Sequence, residues 1–270
     1  MIWFCPLPPG NRATDFRTQT YRGRPVLTRC QGIGRGSQLK WTDYICNDRY
    51  QRIAKVTAGH GFATDYHEVL ITPWNTALIT ATRLATVRLG PGHGPVRRKV
   101  IDDVVQEIDI ATGQVQFRWN ALGHVPLRDS EEPGPASAAT PWDWFHVNAV
   151  HLDTDGNLLI SSRYTRTTYK VSRRTGRIIW ELGGKLSTFT LRAAPGQVLD
   201  KAGEIFACQH DPEALVGEAD EGMLAGLARS PNVSVARAPA AETRRTASRP
   251  ATGPAGSRAR SRCARQPGAG

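Results

Sequence analysis

Glu107-Ile108-Asp109-Ile110-Ala111-Thr112-Gly113-Gln114-Val115-Gln116-Phe117-Arg118-Trp119 and, further on, Lys170-Val171-Ser172-Arg173-Arg174-Thr175-Gly176-Arg177-Ile178-Ile179-Trp180 read as the same β-hairpin written twice around a Thr-Gly turn. Glycine supplies the positive φ that a tight hairpin requires. A second hairpin type recurs as well: His67 to Thr80 resembles His146 to Ser161, each with a polar start, an apolar strand, a turn (Pro73-Trp74-Asn75 or Asp153-Thr154-Asp155-Gly156-Asn157) and a returning strand. Arg83 and Arg163 follow at matching places. Around these hairpins, from about residue 17 to residue 210, short β-branched and aromatic runs bounded by Gly, Pro, Asn or Asp dominate, and long helical periodicity is missing. Arg24–Thr28, Glu68–Ile71, Ala77–Thr80, Val104–Ile110, Val115–Trp119, Leu158–Ser161, Tyr169–Val171 and Ile178–Trp180 are predicted strands. The class is all-β. A β-sandwich also produces many short strands, but two hairpin types in fixed order favour a β-propeller, whose blades take ~40–50 residues each.

The chain of 270 residues, 40% hydrophobic, is long enough to bury a sizeable core. Its apolar stretches are interrupted within a few residues, so no membrane span is expected, and the opening Met1-Ile2-Trp3-Phe4-Cys5-Pro6 lacks the pattern of an export signal. The formal charge of +11 invites a nucleic-acid reading until its distribution is considered. Residues 226–270 hold nine Arg and one acid, a local balance of +8, which leaves +3 for residues 1–225. That tail is rich in Ala, Pro, Gly and Ser and has almost no aliphatic pattern, so it is read as solvated disorder rather than as a nucleic-acid arm. Five cysteines without a C-x-x-C pair indicate neither a zinc knuckle nor a disulfide framework.

On an extended strand, side chains two apart share a face, so His146 and Asn148 are expected to project together, with Val147 and Ala149 opposite. Arg163, at the end of the returning strand, can offer a planar fork to sulfate, phosphate or carboxylate oxygens in the same space. By itself, a His and Asn on one strand is more often a hydrogen-bonded structural pair. Repeat logic adds His67, the equivalent of His146 in the earlier hairpin, because equivalent blade positions face one axis. His210, in Gln209-His210-Asp211, is a further such position. A metal site is not indicated, since carboxylates at ligand spacing are not evident. Gly32-Ile33-Gly34-Arg35-Gly36 lacks the continuation and context of a phosphate loop. Asp153 to Asn157 begins like a calcium loop, but its Gly comes too early and Tyr164 stands where the bidentate Glu belongs.

At these residues the chain resembles the arylsulfotransferase family. The resemblance is carried by Trp3-Phe4, Ala13 to Arg17, Tyr21 to Thr28, Leu78 to Ala81, Val105 to Asp109, Leu122 to Leu127, Pro141-Trp142-Asp143-Trp144-Phe145-His146-Val147-Asn148 and Trp180 to Lys185, over residues 1 to about 211. It implies a β-propeller, six-bladed in relatives, with a central site in which His210 is the nucleophile that takes a sulfuryl group. His67 and His146 are then its catalytic companions, and Asn148 and Arg163 bind the substrate. The implied reaction moves a sulfuryl group from a small aryl sulfate ester to a phenol acceptor through a sulfohistidine. No adenylated sulfate donor, other cofactor or metal is implied, and relatives carry export signals that imply an extracytoplasmic setting for an intact version. A quinoprotein dehydrogenase is a rival propeller enzyme, faintly suggested by Trp180 to Gly184, but would need an acidic calcium cluster. After Asp211 the family continues with an Asp-Gly-turned strand pair and further blades, whereas this chain is expected to diverge. The expected organisation is a partial propeller over 1–211, a divergent segment over 212–225 and a disordered tail over 226–270. The alternative to the transferase is therefore an inactive, truncated or frameshifted propeller with scaffold or binding character only.

Overall fold

The computed structural model describes residues 6–34, 39–88, 97–189, 209–215 and 223–226. Three four-stranded antiparallel sheets follow one another along the chain, each with its strands paired in sequence order. The first holds β1 (Arg12–Tyr21), β2 (Arg24–Ile33), β3 (Lys40–Cys46) and β4 (Arg52–Val56). The second holds β5 (Ala63–Ile71), β6 (Thr76–Arg88), β7 (Arg97–Asp109) and β8 (Val115–Asn120), and the third β9 (Val147–Leu152), β10 (Leu158–Ser162), β11 (Thr167–Val171) and β12 (Ile178–Gly183). A strand pair, β13 (Pro212–Leu215) and β14 (Met223–Gly226), follows within the segment where the sequence reading places divergence. Among the described residues the only helical pieces are two single 3-10 turns, Ala121–Gly123 and Leu127–Asp129. The tail from residue 227 onward lies outside the described residues, as do Cys5, Cys208 and Cys263. Cys30 and Cys46 are buried free thiols.

The two Thr-Gly hairpins superpose in their hydrogen bonding. The Gly113 N–H donates to the Asp109 carbonyl at 2.8 Å, and the Gly176 N–H donates to the Ser172 carbonyl at 2.8 Å. Both glycines sit in the left-handed region, at φ 74° and 71°, where a side chain would be strained. The Asp-rich turn is not a cation site: the Lys170 ammonium lies 2.7 Å from carboxylate oxygens of both Asp153 and Asp155, supplying the charge that the two acids need.

The second sheet is the middle layer, and the period of two along β6 shows it. Ala77 and Ile79 pack with Tyr21, Val26, Trp41 and Ile45 of the first sheet, while Leu78 packs with Trp119, Phe145, Val147 and Tyr169 toward the third. Burial on both faces explains why β6 begins as a continuous run of seven buried residues instead of alternating. Burying the Leu78 and Ile79 side chains contributes roughly 1.5–3 kcal/mol each. Turns lock the layers together at the rim. Arg173, in the β11–β12 turn, makes two 2.6 Å hydrogen bonds to the buried Glu107 of β7 and lies over the Trp74 ring. The Trp119 indole donates to the Gly176 carbonyl at 3.1 Å.

Strand β5 is an edge in its own sheet, and side chains of β1 satisfy its backbone. Gln19 donates to the Val69 carbonyl and accepts from the Ile71 N–H, both at 2.7 Å, so its carboxamide replaces a paired residue. Asp15 accepts from the Val69 N–H, and the Thr14 hydroxyl donates to the Tyr66 carbonyl. The first strand of each sheet therefore lies against the first strand of the next, and each is irregular at its start: between Thr14 and Arg17 in β1, between Thr64 and Val69 in β5, and at Asn148 in β9.

Candidate active site

Those irregular strand starts carry the candidate side chains. His67 lies in the unpaired stretch of β5, His146 immediately precedes β9, and His210 precedes β13. Their rings converge from three separate elements. The His67 centroid is 5.0 Å from that of His146, edge to face, and 6.1 Å from that of His210. The expected strand alternation of His146 and Asn148 does not hold. His146 has φ 55°, in the left-handed region, and Asn148 is the bulged residue between the Val147–Ser162 and Ala149–Ser161 pairs. A bulge re-aims its side chains, so the two reach one region by a route other than strand parity.

Two carboxylates orient two of the rings. Asp65 accepts from His67 Nδ1 at 2.5 Å, and Asp143 from His146 Nδ1 at 2.6 Å. Fixing Nδ1 in this way leaves Nε2 of each ring as the nitrogen for chemistry. The approach to His146 is itself rigid: the Trp142 backbone pairs with Lys99 and Ile101 of β7, Trp144 and Phe145 are buried, and the His146 N–H donates to Asp103 at 3.0 Å. Burial alone would lower the His146 pKa, but Asp143, with Asp65 behind it, outweighs burial and holds it above the ordinary histidine value. His210 shifts the other way. Its ring is the most exposed of the three, yet desolvation and the neighbouring His67, Arg17 and His146 lower its pKa, against a weaker opposing pull from Asp211. The cluster thus holds one imidazole biased toward the cation and one biased toward the neutral form.

Arg163 directly follows β10, and its N–H donates to the His146 carbonyl at 3.0 Å. Its guanidinium lies 6.0 Å from the Tyr164 ring centre, near enough to His146 to oppose that ring's protonation, and its buried Nε has no hydrogen-bond partner among the described residues. Asn148 is 2% exposed and donates to the Gln209 carbonyl at 2.6 Å, leaving its own side-chain oxygen without a partner among the described residues. Aromatic rings flank the histidines: Tyr66 lies 4.2 Å from His67 with Trp41 behind it, and Tyr164 meets His146 at 5.0 Å. Arg83, the echo of Arg163, instead pairs with Asp102 at 3.2 Å and covers the Phe62 ring.

All five residues singled out from sequence thus lie in one neighbourhood. Sequence reasoning missed Arg17, Asp65, Asp103, Asp143 and Gln209. The available signal was an acid two residues before His67 and three before His146, the reach at which a short carboxylate meets a neighbouring imidazole. A broader groove lined by Tyr21, Arg22, Arg24, Lys55 and Ile110 lies at the far end of β1 from Asp15, about 20 Å along the strand, and has no histidine in it. Among the described residues no group of three His, Cys, Asp or Glu is placed to hold a metal ion, and no helix is long and apolar enough to cross a membrane.

A family model described as Arylsulfotransferase (ASST) matches residues 17–233 of the chain. That range runs past Asp211 and includes the β13–β14 pair. No curated protein gives a significant match. Among solved structures the chain is similar to a protein of unknown function from Bacteroides caccae, with 13% identity and a TM-score of 0.38, over 70% of this chain and 53% of that one. The chain therefore spans about half the length of that protein.

Proposed function

The chain belongs to the arylsulfotransferase family, and from that premise we propose that it moves a sulfuryl group from an aryl sulfate ester to a phenol through a sulfohistidine at His210. The observation that carries the reading is the convergence of His67, His146 and His210 from separate elements onto one aromatic-flanked cleft beside Arg163. The three four-stranded sheets, with successive first strands adjoining, are read as blades of a propeller over residues 1–211, and the cleft as its axis.

In the first half-reaction the neutral His210 imidazole attacks sulfur, an N–S bond forms and the S–O bond to the aryl group breaks. The departing phenolate takes a proton from the His146 imidazolium, which its Asp143 partner keeps charged. In the second half-reaction an acceptor phenol returns its proton to His146, its oxygen attacks sulfur and the N–S bond breaks, restoring His210. Arg163, whose buried Nε has no hydrogen-bond partner among the described residues, stabilises the sulfuryl oxygens as negative charge develops, and Asn148 supports the same region. His67, oriented by Asp65, presents its Nε2 to the transferring group. Tyr66 and Tyr164 give the aryl ring apolar faces on which to lie.

The test is to incubate the full chain with nitrophenyl sulfate and phenol and to follow nitrophenol release. Release that depends on His210 supports the reading. Release no faster than that of His210→Ala overturns it, and leaves a scaffold or binding role for the same cleft.

A further inference from the structure

We propose that Gln209 and Arg17 are positioning residues that clamp the His210 imidazole between the third sheet and the first, an inference that rests on His210 being the nucleophile. Gln209, only 3% exposed, is fixed by three hydrogen bonds. Its Nε2 donates to the Ser162 carbonyl at 2.8 Å and to the Thr167 carbonyl at 3.0 Å, and its own backbone carbonyl accepts from Asn148 at 2.6 Å. The residue before His210 is thereby tied to the β10–β11 turn, beside Arg163.

The residue after His210 is tied elsewhere. Asp211 has φ 56°, a left-handed conformation that persists only where surrounding contacts determine it, and its carboxylate lies 3.5 Å from Arg17 Nη2. Arg17 is itself held on the first two sheets: Nε meets Asp15 at 2.5 Å, and Nη2 lies 3.0 Å from the buried Glu68 of β5. Neither Arg17 nor Gln209 stands among the three converging rings. Both act through His210, by restricting the backbone on each side of it so that the imidazole meets sulfur in a near-attack arrangement. Misplacement of a reacting group by about 1 Å costs on the order of 100-fold in rate.

The experiment is a rapid-mixing measurement of nitrophenol release by the full chain. Gln209→Met and Arg17→Gln should slow the burst about 10–100-fold while leaving its amplitude per chain and KM near the wild-type values. Arg17→Lys, which keeps the charge but loses the fork, should recover part of the rate. Arg173→Ala, a remote change that weakens the fold, should lower the melting temperature and leave the burst rate alone. A wild-type burst rate in both clamp variants overturns the proposal, as does a reduced amplitude at unchanged rate, which would mean only that fewer chains are folded. A wild-type protein with no His210-dependent nitrophenol release sinks the sulfuryl-transfer reading alone. The clamp is then judged by nuclear relaxation of the His210 ring in the resting protein: a rigid ring that becomes mobile in both variants supports it, and a ring equally ordered in all three overturns it.

Discussion

Single residues here are set against their ordinary chemistry by their neighbours, and that has measurable consequences. Asp143 raises the His146 pKa, whereas burial and nearby cations lower that of His210. An acid with a raised pKa stays protonated to higher pH, and a nucleophile with a lowered one stays neutral to lower pH. The first phenol release is therefore expected to hold level through the ordinary imidazole range of about 6.5 and to fall only on its outer sides. Burst rates measured from about pH 5 to 9 test this, and Asp143→Asn should draw the alkaline limb toward acid while leaving the acid limb in place. Asp43 offers a stability test. It is wholly buried, and burial pushes its pKa well up, with the neighbouring Cys30 thiol opposing more weakly. For an acid whose folded pKa is raised, stability is present below the unfolded pKa and lost as pH rises toward the folded value. Asp43→Asn should raise the melting temperature at neutral pH by about 2–4 °C and remove part of the gain that wild type shows on mild acidification; equal melting curves at pH 7 would overturn this. Only Asp143, three residues before His146, left a signal in the sequence; the other neighbours did not, because each shift depends on which charged groups lie next to which side chains after folding.

At the scale of elements, the hairpins were legible and the irregular strand starts were not. Both Thr-Gly turns form as the sequence indicates, because glycine and the flanking β-branched runs act within a few residues of each other. Strands β1, β3 and β4 were not legible in the sequence. In β1, residues such as Thr14, Asp15 and Gln19 look like loop chemistry, yet they serve as side-chain caps for the edge of β5. The left-handed His146 and the bulge at Asn148 defeated the alternation rule for the same reason: they answer to the next sheet, not to their own strand. Arg83 shows the limit of repeat logic, since equivalence to Arg163 in sequence placed it beside Asp102 instead of the histidines. The latch between sheets makes a direct prediction. Arg173→Ala removes both 2.6 Å bonds to Glu107 and leaves a carboxylate that is 1% exposed without its cation, although Thr76 still donates to it. A loss of about 1–3 kcal/mol is expected, read by denaturant unfolding. Glu107→Gln in the same background should recover part of it, and no recovery would mean that the stabilisation comes from Arg173 lying over Trp74.

For the whole molecule, the decisive feature is that the second sheet is shared. Ile79 belongs to the core against the first sheet and Leu78 to the core against the third, so adjacent residues on one strand support different interfaces. If the sheets were independent, Ile79→Ala would release the first sheet and Leu78→Ala the third, each giving a separate early transition. The side-chain caps from β1 to β5, the Arg173 latch and the histidine cleft all cross between sheets, which argues for one cooperative unit among the described residues. Each substitution should therefore cost about 2–5 kcal/mol and lower a single transition by about 5–15 °C, with hydrogen exchange quickening in all three sheets together. Activity follows from the same geometry. Because His67 comes from the second sheet, His146 from the approach to the third and His210 from the segment before β13, no single sheet contains a working site. Nitrophenol release should accordingly disappear along the same curve as the global melt in both variants. A split melt, or exchange confined to the sheet facing the substituted residue, would overturn the cooperative account; activity that outlasts the loss of one sheet would show that the three histidines do not work as one site.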